Sequence, residues 1–299
     1  MSTPVVDLVI VNWNSGSFLS DCIRSIVRVE AGSIASVSVV DNASTDGSAD
    51  IAAPGLPLRI VHNQTNLGFG AACNIGARMG HADRILFLNP DARLEPDSIA
   101  ACSAHLRGDV WVVGARLIDS TGRVQRTCSR TATVPRMLAH CVGIDRLVPS
   151  SGYVMSDWAH DETRLVDHVI GAFYLIRRDV FERLGGFDER FFVYLEDLDL
   201  SQRVRAAGGK CMYAADAIAH HVGGGTTQSI KSTRLFYSVR SRLQFSSKHF
   251  GFASNAAVWL ASVTIEPLVR SARAVLRGSL TELTEVWRAY AQLYRWILR

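Results

Sequence analysis

Residues 85–91 read Ile85-Leu86-Phe87-Leu88-Asn89-Pro90-Asp91. Four apolar residues form a short buried strand, and the Asn-Pro-Asp that follows ends it on a carboxylate. The same pattern recurs upstream. Val37-Ser38-Val39-Val40 runs into Asp41, and the apolar run 6–11 ends in Asn12-Trp13-Asn14-Ser15-Gly16. In open α/β sheets, ligands bind beyond the carboxyl ends of the strands, near the topological switch point. Asn12, Asp41 and Asp91 are therefore expected to converge on one polar site.

The spacing between these strands supports that architecture. Leu19, Cys22, Ile23, Ile26 and Val27 recur at helical intervals over 18–29, with Ser17 placed to cap the helix. A third strand is expected at 58–61, a polar loop at 63–70, a helix at 71–79, a strand at 84–88, a helix opened by Pro96 and continuing over 99–106, and a strand at 110–118. Short apolar strands alternating with helices, without tight hairpin signals, predict an α/β fold with a mostly parallel, Rossmann-like sheet flanked by helices. The stretch 123–164 is weakly periodic and broken by Pro135, Pro149 and Ser150-Ser151-Gly152. It reads as a long excursion over the site, where acceptor specificity is expected. A strand at 169–177 and a short helix at 179–184 follow. A helix at 197–207 places Leu198, Leu200 and Val204 inward. Segments 210–213 and 217–221 are strand-like, and alternation puts Tyr213, Ala215, Ala217, Ala219 and His221 on one face.

The 299 residues are 48% apolar, enough for one large domain, or a domain with an appendage. The net charge of +4 is mild and does not point to nucleic acid. Its distribution is uneven. Eleven Lys/Arg against three Asp/Glu make residues 230–299 a +8 segment, and the other 229 residues carry −4. An acidic body with a basic, helical tail (232–250, 253–276, 280–298) predicts a division into a domain over 1–229 and an amphipathic extension over 230–299, which either meets an anionic membrane surface or packs on the domain with a solvated basic face. The run 256–265 is apolar but too short to span a bilayer by itself. The six cysteines are scattered, with no Cys-x-x-Cys pair, and read as buried free thiols of a reducing compartment. The first residues lack a basic region and an apolar segment, so no signal peptide is expected there, and a cytoplasmic location follows.

The densest acidic stretch is Phe192-Val193-Tyr194-Leu195-Glu196-Asp197-Leu198-Asp199-Leu200. Three carboxylates bracketed by apolar residues imply a pocket or a cation that uses the charge.

Taken in order, seven motifs resemble the family 2 glycosyltransferases over residues 6–226: Val-Asn-Trp-Asn at 11–14, Val-Asp-Asn-Ala-Ser-Thr-Asp-Gly at 40–47, Asn-Leu-Gly-Phe-Gly at 66–70, Asn-Pro-Asp-Ala at 89–92, Gly-Ala-Phe-Tyr-Leu-Ile-Arg-Arg at 171–178, Gly-Gly-Phe-Asp-Glu-Arg-Phe-Phe at 185–192 and Tyr-Leu-Glu-Asp-Leu-Asp-Leu at 194–200. The arrangement is most similar to the rhamnosyltransferases of bacterial cell-envelope polysaccharides. The resemblance implies a GT-A fold, a nucleoside-diphosphate-sugar donor, a divalent cation (Mg²⁺ or Mn²⁺) and inversion at the anomeric carbon. It also implies dTDP-rhamnose as the leading donor, with a UDP-hexose such as UDP-glucose or UDP-galactose as the alternative. A lipid-linked saccharide, met at the inner face of the plasma membrane, is the implied acceptor.

On that pattern Asn12, Asn14, Asp41, Asn66, Gly68 and Asn89 are expected around the nucleotide. The Asp41 carboxylate suits a pyrimidine imide N–H, or alternatively opens the turn at 42–47, where Asp46 reads as a turn residue or cap. Gly68 and Gly70 allow close backbone approach. Asp91 fits the family's metal position, while Asn89 replaces its first acid. His221 fits a second, metal- or diphosphate-contacting position, with His220 as the fallback. The Gly223-Gly224-Gly225 segment is expected to cover the donor. Asp197 is the expected general base, with Glu196 the second candidate and Asp199 a helix-surface or cap contact. Arg126 and Arg130 are placed to hold a diphosphate of donor or acceptor, or else are solvated loop arginines. Trp158, Phe173 and Tyr174 are candidates for stacking on sugar faces, with core packing as the alternative. A nucleotidyltransferase would need a Gly- and Lys/Arg-rich loop after the first strand, which Asn12-Trp13-Asn14 is not. The joint presence of Asp41, Asp91 and Asp197 argues against a scaffold that has lost activity.

Overall fold

The computed structural model describes residues 5–29, 31–223 and 231–299. The first half runs β1 (Val6–Asn12), α1 (Phe18–Val29), β2 (Ile34–Asp41), β3 (Leu58–His62), α2 (Phe69–Ala77), β4 (Arg84–Leu88), β5 (Ala92–Leu94), α3 (Ser98–His105) and β6 (Val110–Ile118). Then come β7 (Cys128–Ser129), α4 (Val134–Val142), β8 (Arg164–Val166), β9 (His168–Val169), β10 (Phe173–Arg177), α5 (Arg178–Arg183), α6 (Glu196–Ala206) and β11 (Lys210–His221). Four helices close the chain: α7 (Lys231–His249), α8 (Phe252–Leu260), α9 (Glu266–Leu276) and α10 (Leu280–Ile297).

The main sheet has the order β3-β2-β1-β4-β10-β6-β11-β5, with β8 also paired to β11. Its β3-β2-β1-β4 part is parallel, as the buried apolar runs predict. β10 lies antiparallel between β4 and β6, and β11 runs parallel to β6. Helices cover both faces. Leu19, Cys22, Ile23 and Ile26 of α1 and Ile99 and Cys102 of α3 pack one face. Ala72, Cys73 and Ala77 of α2, Val180 and Phe181 of α5 and Leu200 and Val204 of α6 pack the other. Contact across α2 is close: a Cβ on Gly76 would come within 2.4 Å of Val9, so the helix seats only with glycine there. All six cysteines are buried, and none is in a disulfide.

Four local readings differ. The strand expected over 169–177 is interrupted, because the Gly171 N–H donates to the Asp197 carboxylate rather than to a ladder. β11 is one strand with an irregularity: Ala214 pairs Ala115, yet Ile218 pairs the next residue, Arg116. That insertion reverses the phase, so Tyr213 and Ala215 face the α6 side while Ala217 and Ala219 face the α1 side. They do not share the single face that plain alternation predicted. Pro135 does not break the excursion but sits in the first turn of α4, where its missing N–H is harmless. Pro96 lies in the turn just before α3 instead of opening the helix.

The C-terminal helices follow their expected bounds, and the helix expected over 253–276 is continuous. A π-helical turn, Ala261–Ile265, joins α8 to α9 without a break. Residues Phe252–Leu276 thus form the one helix among the described residues that is long and apolar enough to cross a membrane by length and composition, which the run 256–265 alone was not. One side of it is nevertheless pinned by charge: Glu266 pairs with Arg242 of α7 at 2.5 Å, and both are buried. α7 is stitched along its length to the segment 188–199. Ser241 Oγ donates to the Val193 carbonyl, Gln244 Nε2 to that of Arg190, and Lys248 pairs with Asp188 and Asp199.

Candidate active site

A cavity of about 750 Å³ opens where the carboxyl ends of β1, β2 and β4 predict a ligand. Val11 near the end of β1 and Trp13 just after it, Asn42 after β2, and Asn89, Pro90 and Asp91 after β4 line it. So do Asn66, Gly68 and Phe69 before and at the start of α2, Phe192 to Tyr194 before α6, and His221 at the end of β11. Thr233, Arg234 and Tyr237 of α7 close the remaining side.

Asp91 and His221 are brought together as expected, with Asp91 Oδ1 3.3 Å from His221 Nε2. Gln125 holds the other side of the ring. Its Nε2 donates to the His221 carbonyl at 2.8 Å, which turns its Oε1 to His221 Nδ1, also at 2.8 Å. The hydrogen-bond network therefore puts the proton on Nδ1 and turns the Nε2 lone pair toward Asp91. Asn89 Nδ2 lies 3.4 Å from the same Nε2. Gln125 reaches this place because the chain turns back after β6, where the Gln125 N–H donates to the Leu117 carbonyl. The fallback residue His220 points elsewhere and pairs with Glu95 at 2.7 Å.

The loop before α2 is locked to the loop before α6. The Phe69 N–H donates to the Phe192 carbonyl at 2.7 Å, and a Cβ on Gly68 (φ +88°) would stand 2.3 Å from that oxygen. Gly68 is thus required by Phe192 as well as by its own left-handed backbone. Asn66 Oδ1 accepts the Gly68 N–H at 2.9 Å.

Other expected nucleotide residues lie beneath the cavity rather than on its wall. Asn12 is buried, and its Nδ2 reaches Asp41, Ser44 and Ser48. Asn14 Oδ1 accepts the Thr45 N–H. Asp41 is also buried. Burial opposes its charge, but hydrogen bonds from Ser44, Asn12 and His62 outweigh that and hold its carboxyl below the usual range. This network shapes the 42–48 loop and leaves Asn42, not Asp41, on the cavity wall. Asp46 is a turn residue, accepting from Ser48 and from the Gly16 N–H.

The acidic stretch divides three ways. Asp197 is 15% exposed in its side chain. Its Oδ2 accepts the Gly171 N–H at 2.7 Å and its Oδ1 the Leu198 N–H at 2.8 Å. Buried His168 stands behind it, Nε2 3.8 Å from Oδ2, with Nδ1 on Ser201. Asp197 does not itself line the cavity; Gly171, which holds it, packs against the cavity residue Phe69. Glu196 is 5% exposed, lies against Gly70, and leaves Oε2 without a hydrogen bond. Burial, and after it the charge of Asp197, pushes its pKa well above the carboxylate range. Asp199 is not a surface or cap residue. It is fully buried and takes Arg203, Lys248 and His249.

The excursion arginines are not at this cavity. Arg126 donates to the Ser156 carbonyl, and Arg130 pairs with Asp157 at 2.8 Å beside a separate cavity of about 380 Å³. Their own carbonyl and carboxylate partners hold them there. Phe173 and Tyr174 are core residues, and Trp158 stacks on His160 at 4.2 Å. The cation on the main cavity is Arg234, which sequence reasoning missed, along with Trp13, Tyr237 and the buttress Gln125. A cationic residue in the first turn of a helix that follows a His-rich strand end was the available signal. The Gly223-Gly224-Gly225 cover lies outside the described residues beyond Gly223.

The chain matches the sequence profile described as "Glycosyltransferase like family 2" over residues 4–244. It is 28% identical over 268 residues to N-acetylglucosaminyl-diphospho-decaprenol L-rhamnosyltransferase of Mycobacterium tuberculosis, covering 84% of this chain and 87% of that one. It is 25% identical over 189 residues to rhamnosyltransferase WbbL of Escherichia coli, covering 60% and 69%. Among solved structures it resembles a mannosyltransferase of Pyrobaculum calidifontis in complex with GDP-Man and Mn²⁺, with TM-score 0.59, 17% identity and coverage of 97% and 87%. It also resembles S. aureus TarS residues 1–349, with TM-score 0.54, 13% identity and coverage of 97% and 91%.

Proposed function

Because this chain belongs to the family 2 glycosyltransferases, we propose that it transfers L-rhamnose from dTDP-rhamnose, with inversion, to a lipid-linked saccharide in cell-envelope polysaccharide synthesis. The observation that carries this reading is the cavity at the strand ends with Asp91 and His221 facing each other across 3.3 Å. The choice of rhamnose and of a diphosphate-linked lipid acceptor is supported by the mycobacterial relative, whose name specifies L-rhamnose and a diphospho-decaprenol.

The residues present fit a divalent cation. Donors about 2.1 Å from a cation stand about 3.0 Å apart at a right angle, close to the separation of Asp91 Oδ1 and His221 Nε2. A carboxylate oxygen facing an imidazole lone pair is an arrangement that a shared cation stabilises. Among the described residues no group of three or more His, Cys, Asp or Glu could hold a metal, so substrate phosphates would complete the shell, as they commonly do for Mg²⁺. When bound there, Mg²⁺ or Mn²⁺ supplies positive charge to the leaving diphosphate.

In this reading Asn42, Asn66 and the backbone at Gly68 receive the nucleoside, and Trp13 offers it an aromatic face. Asp197 takes the proton of the acceptor hydroxyl as that oxygen attacks the anomeric carbon opposite the diphosphate. Two backbone N–H groups fix its carboxylate while leaving lone pairs on both oxygens.

The helices α8 to α10 support a peripheral site at the inner membrane face. Leu260, Ile265, Leu268, Val275 and Leu276 are exposed along the continuous helix, Leu280, Trp287 and Tyr294 along α10, and Leu298 just after it. The buried Arg242–Glu266 pair holds the opposite side of the helix on α7, which favours a helix lying in the interface over one spanning it. The proposed division at 229/230 assigns this stripe to the extension.

A thermal-shift screen of nucleotides, with and without Mn²⁺ or Mg²⁺, tests the donor. Metal-dependent stabilisation by dTDP and dTDP-rhamnose is expected. Preference for UDP or GDP would overturn the donor, and no response to any nucleotide would count against the site.

A further inference from the structure

We infer that the first two turns of α7 form a wall that recognises a substrate diphosphate, with Arg234 as its cation, and that this diphosphate belongs to the lipid-linked acceptor. The inference rests on the transferase reading above. Arg234 is the one Lys or Arg among the described residues that line the cavity, and it faces a space also bounded by Asp91 and His221. Its Nε donates to Tyr194 Oη at 3.3 Å, and no carboxylate pairs with it among the described residues. The outer guanidinium nitrogens are the part that makes a two-point contact with phosphate oxygens.

The surroundings are built to hold that residue. Tyr194 and Leu195 adopt left-handed backbone, φ +69° and +64°, which neither side chain favours. That pair of strained residues turns Tyr194 toward α7. Phe192 stacks on Tyr237 at 4.6 Å with the rings 20° apart, giving the wall a rigid aromatic face one turn from Arg234. Ser241 and Gln244 then tie the next turns of α7 to the backbone of Val193 and Arg190.

Two diphosphates are available to such a cation, the donor's and the acceptor's. Asp91 and His221 mark the donor's side, at the strand ends. Arg234 comes instead from the helix on which α10 packs and to which the α8–α9 helix is pinned by Arg242–Glu266. The helix that carries the cation is thus packed against the helices that bear the exposed apolar stripe, which matches an acceptor whose diphosphate sits at a membrane surface.

The test compares Arg234→Ala and Arg234→Lys with the parent protein in three assays: dTDP affinity with Mn²⁺ by calorimetry, KM for a prenyl-diphosphate-linked saccharide, and KM for the same saccharide on a neutral alkyl glycoside. Arg234→Ala should raise KM for the diphosphate acceptor about tenfold or more, with Arg234→Lys in between. dTDP affinity, KM for the neutral acceptor and Tm should stay within about twofold or a degree of the parent. A matching loss of dTDP affinity would assign Arg234 to the donor and overturn the inference. Equal effects on both acceptors would also overturn it, by removing the diphosphate. A parent protein that uses neither acceptor with any donor would instead defeat the transferase reading itself.

Discussion

The imidazole of His221 is held from both sides: its Nε2 faces Asp91 Oδ1 at 3.3 Å, and Gln125 grips its Nδ1 and its backbone carbonyl, each at 2.8 Å. A buttress that fixes ring orientation and tautomer raises the quality of the nitrogen left over. Gln125→Ala should weaken Mn²⁺ binding in the presence of dTDP about tenfold to a hundredfold, the usual range for losing such a partner. Gln125→Glu, which keeps the acceptor for Nδ1–H, should recover part of it. Electron paramagnetic resonance of free Mn²⁺ reads this without turnover, and an unchanged affinity in Gln125→Ala would remove Gln125 from the site.

Asp197 is held by two N–H donors, so its replacement by Asn separates charge from shape. Asp197→Asn should lower kcat about 10²- to 10⁴-fold, the range for a lost general base, with dTDP affinity unchanged. One of the Gly171 and Leu198 N–H groups then loses an oxygen acceptor, so a small drop in Tm is expected as well. Retention of more than about a tenth of kcat would move the base to another residue.

Glu196 predicts a pH effect of defined sign. Its pKa rises on folding, through burial and then through Asp197. The folded state therefore keeps a proton that the unfolded chain gives up near pH 4.3, and stability falls as pH rises from there toward the folded value. Glu196→Gln removes this loss. The Tm difference between Glu196→Gln and the parent should grow in the variant's favour as pH rises above the unfolded carboxylate range, and level off only once pH passes the raised folded value. Parallel Tm curves would show that the carboxyl is not strained.

The fold was readable because its signals are local. Apolar runs ending in Asn12, Asp41 and Asp91 are strand and loop in one phrase, and α1 came through at its observed bounds of Phe18–Val29. Asp91 and His221 were readable for the same reason, each standing at the end of a strand. What failed to show depends on distance in space. Asn12 and Asp41 look like ligand residues in sequence, yet each spends its polar atoms on loop neighbours up to 36 residues away. The reversal of phase in β11 is set by pairing with β6, which no single-strand periodicity records. Arg234 and Tyr237 enter the site only because α7 folds back across 188–199.

The exposed stripe of the C-terminal helices predicts lipid binding that negative charge placed in the stripe removes. Leu260 and Leu268 are both more than half exposed, so Leu260→Glu/Leu268→Glu should leave Tm within about a degree of the parent. The same change should abolish co-flotation with anionic vesicles, which the parent should show and high salt should weaken. Equal flotation of parent and variant would assign membrane contact to another surface.

The central claim is sugar transfer, and the mass of the product together with its anomeric configuration by NMR tests it most directly. Purified protein is incubated with dTDP-rhamnose, Mn²⁺ and a prenyl-diphosphate-linked saccharide, beside Asp91→Asn and Asp197→Asn controls. The account predicts one added deoxyhexose on the acceptor, in inverted anomeric configuration, formed by the parent and lost in both variants. Product with retained configuration, or product made equally well by Asp91→Asn and Asp197→Asn, would contradict it.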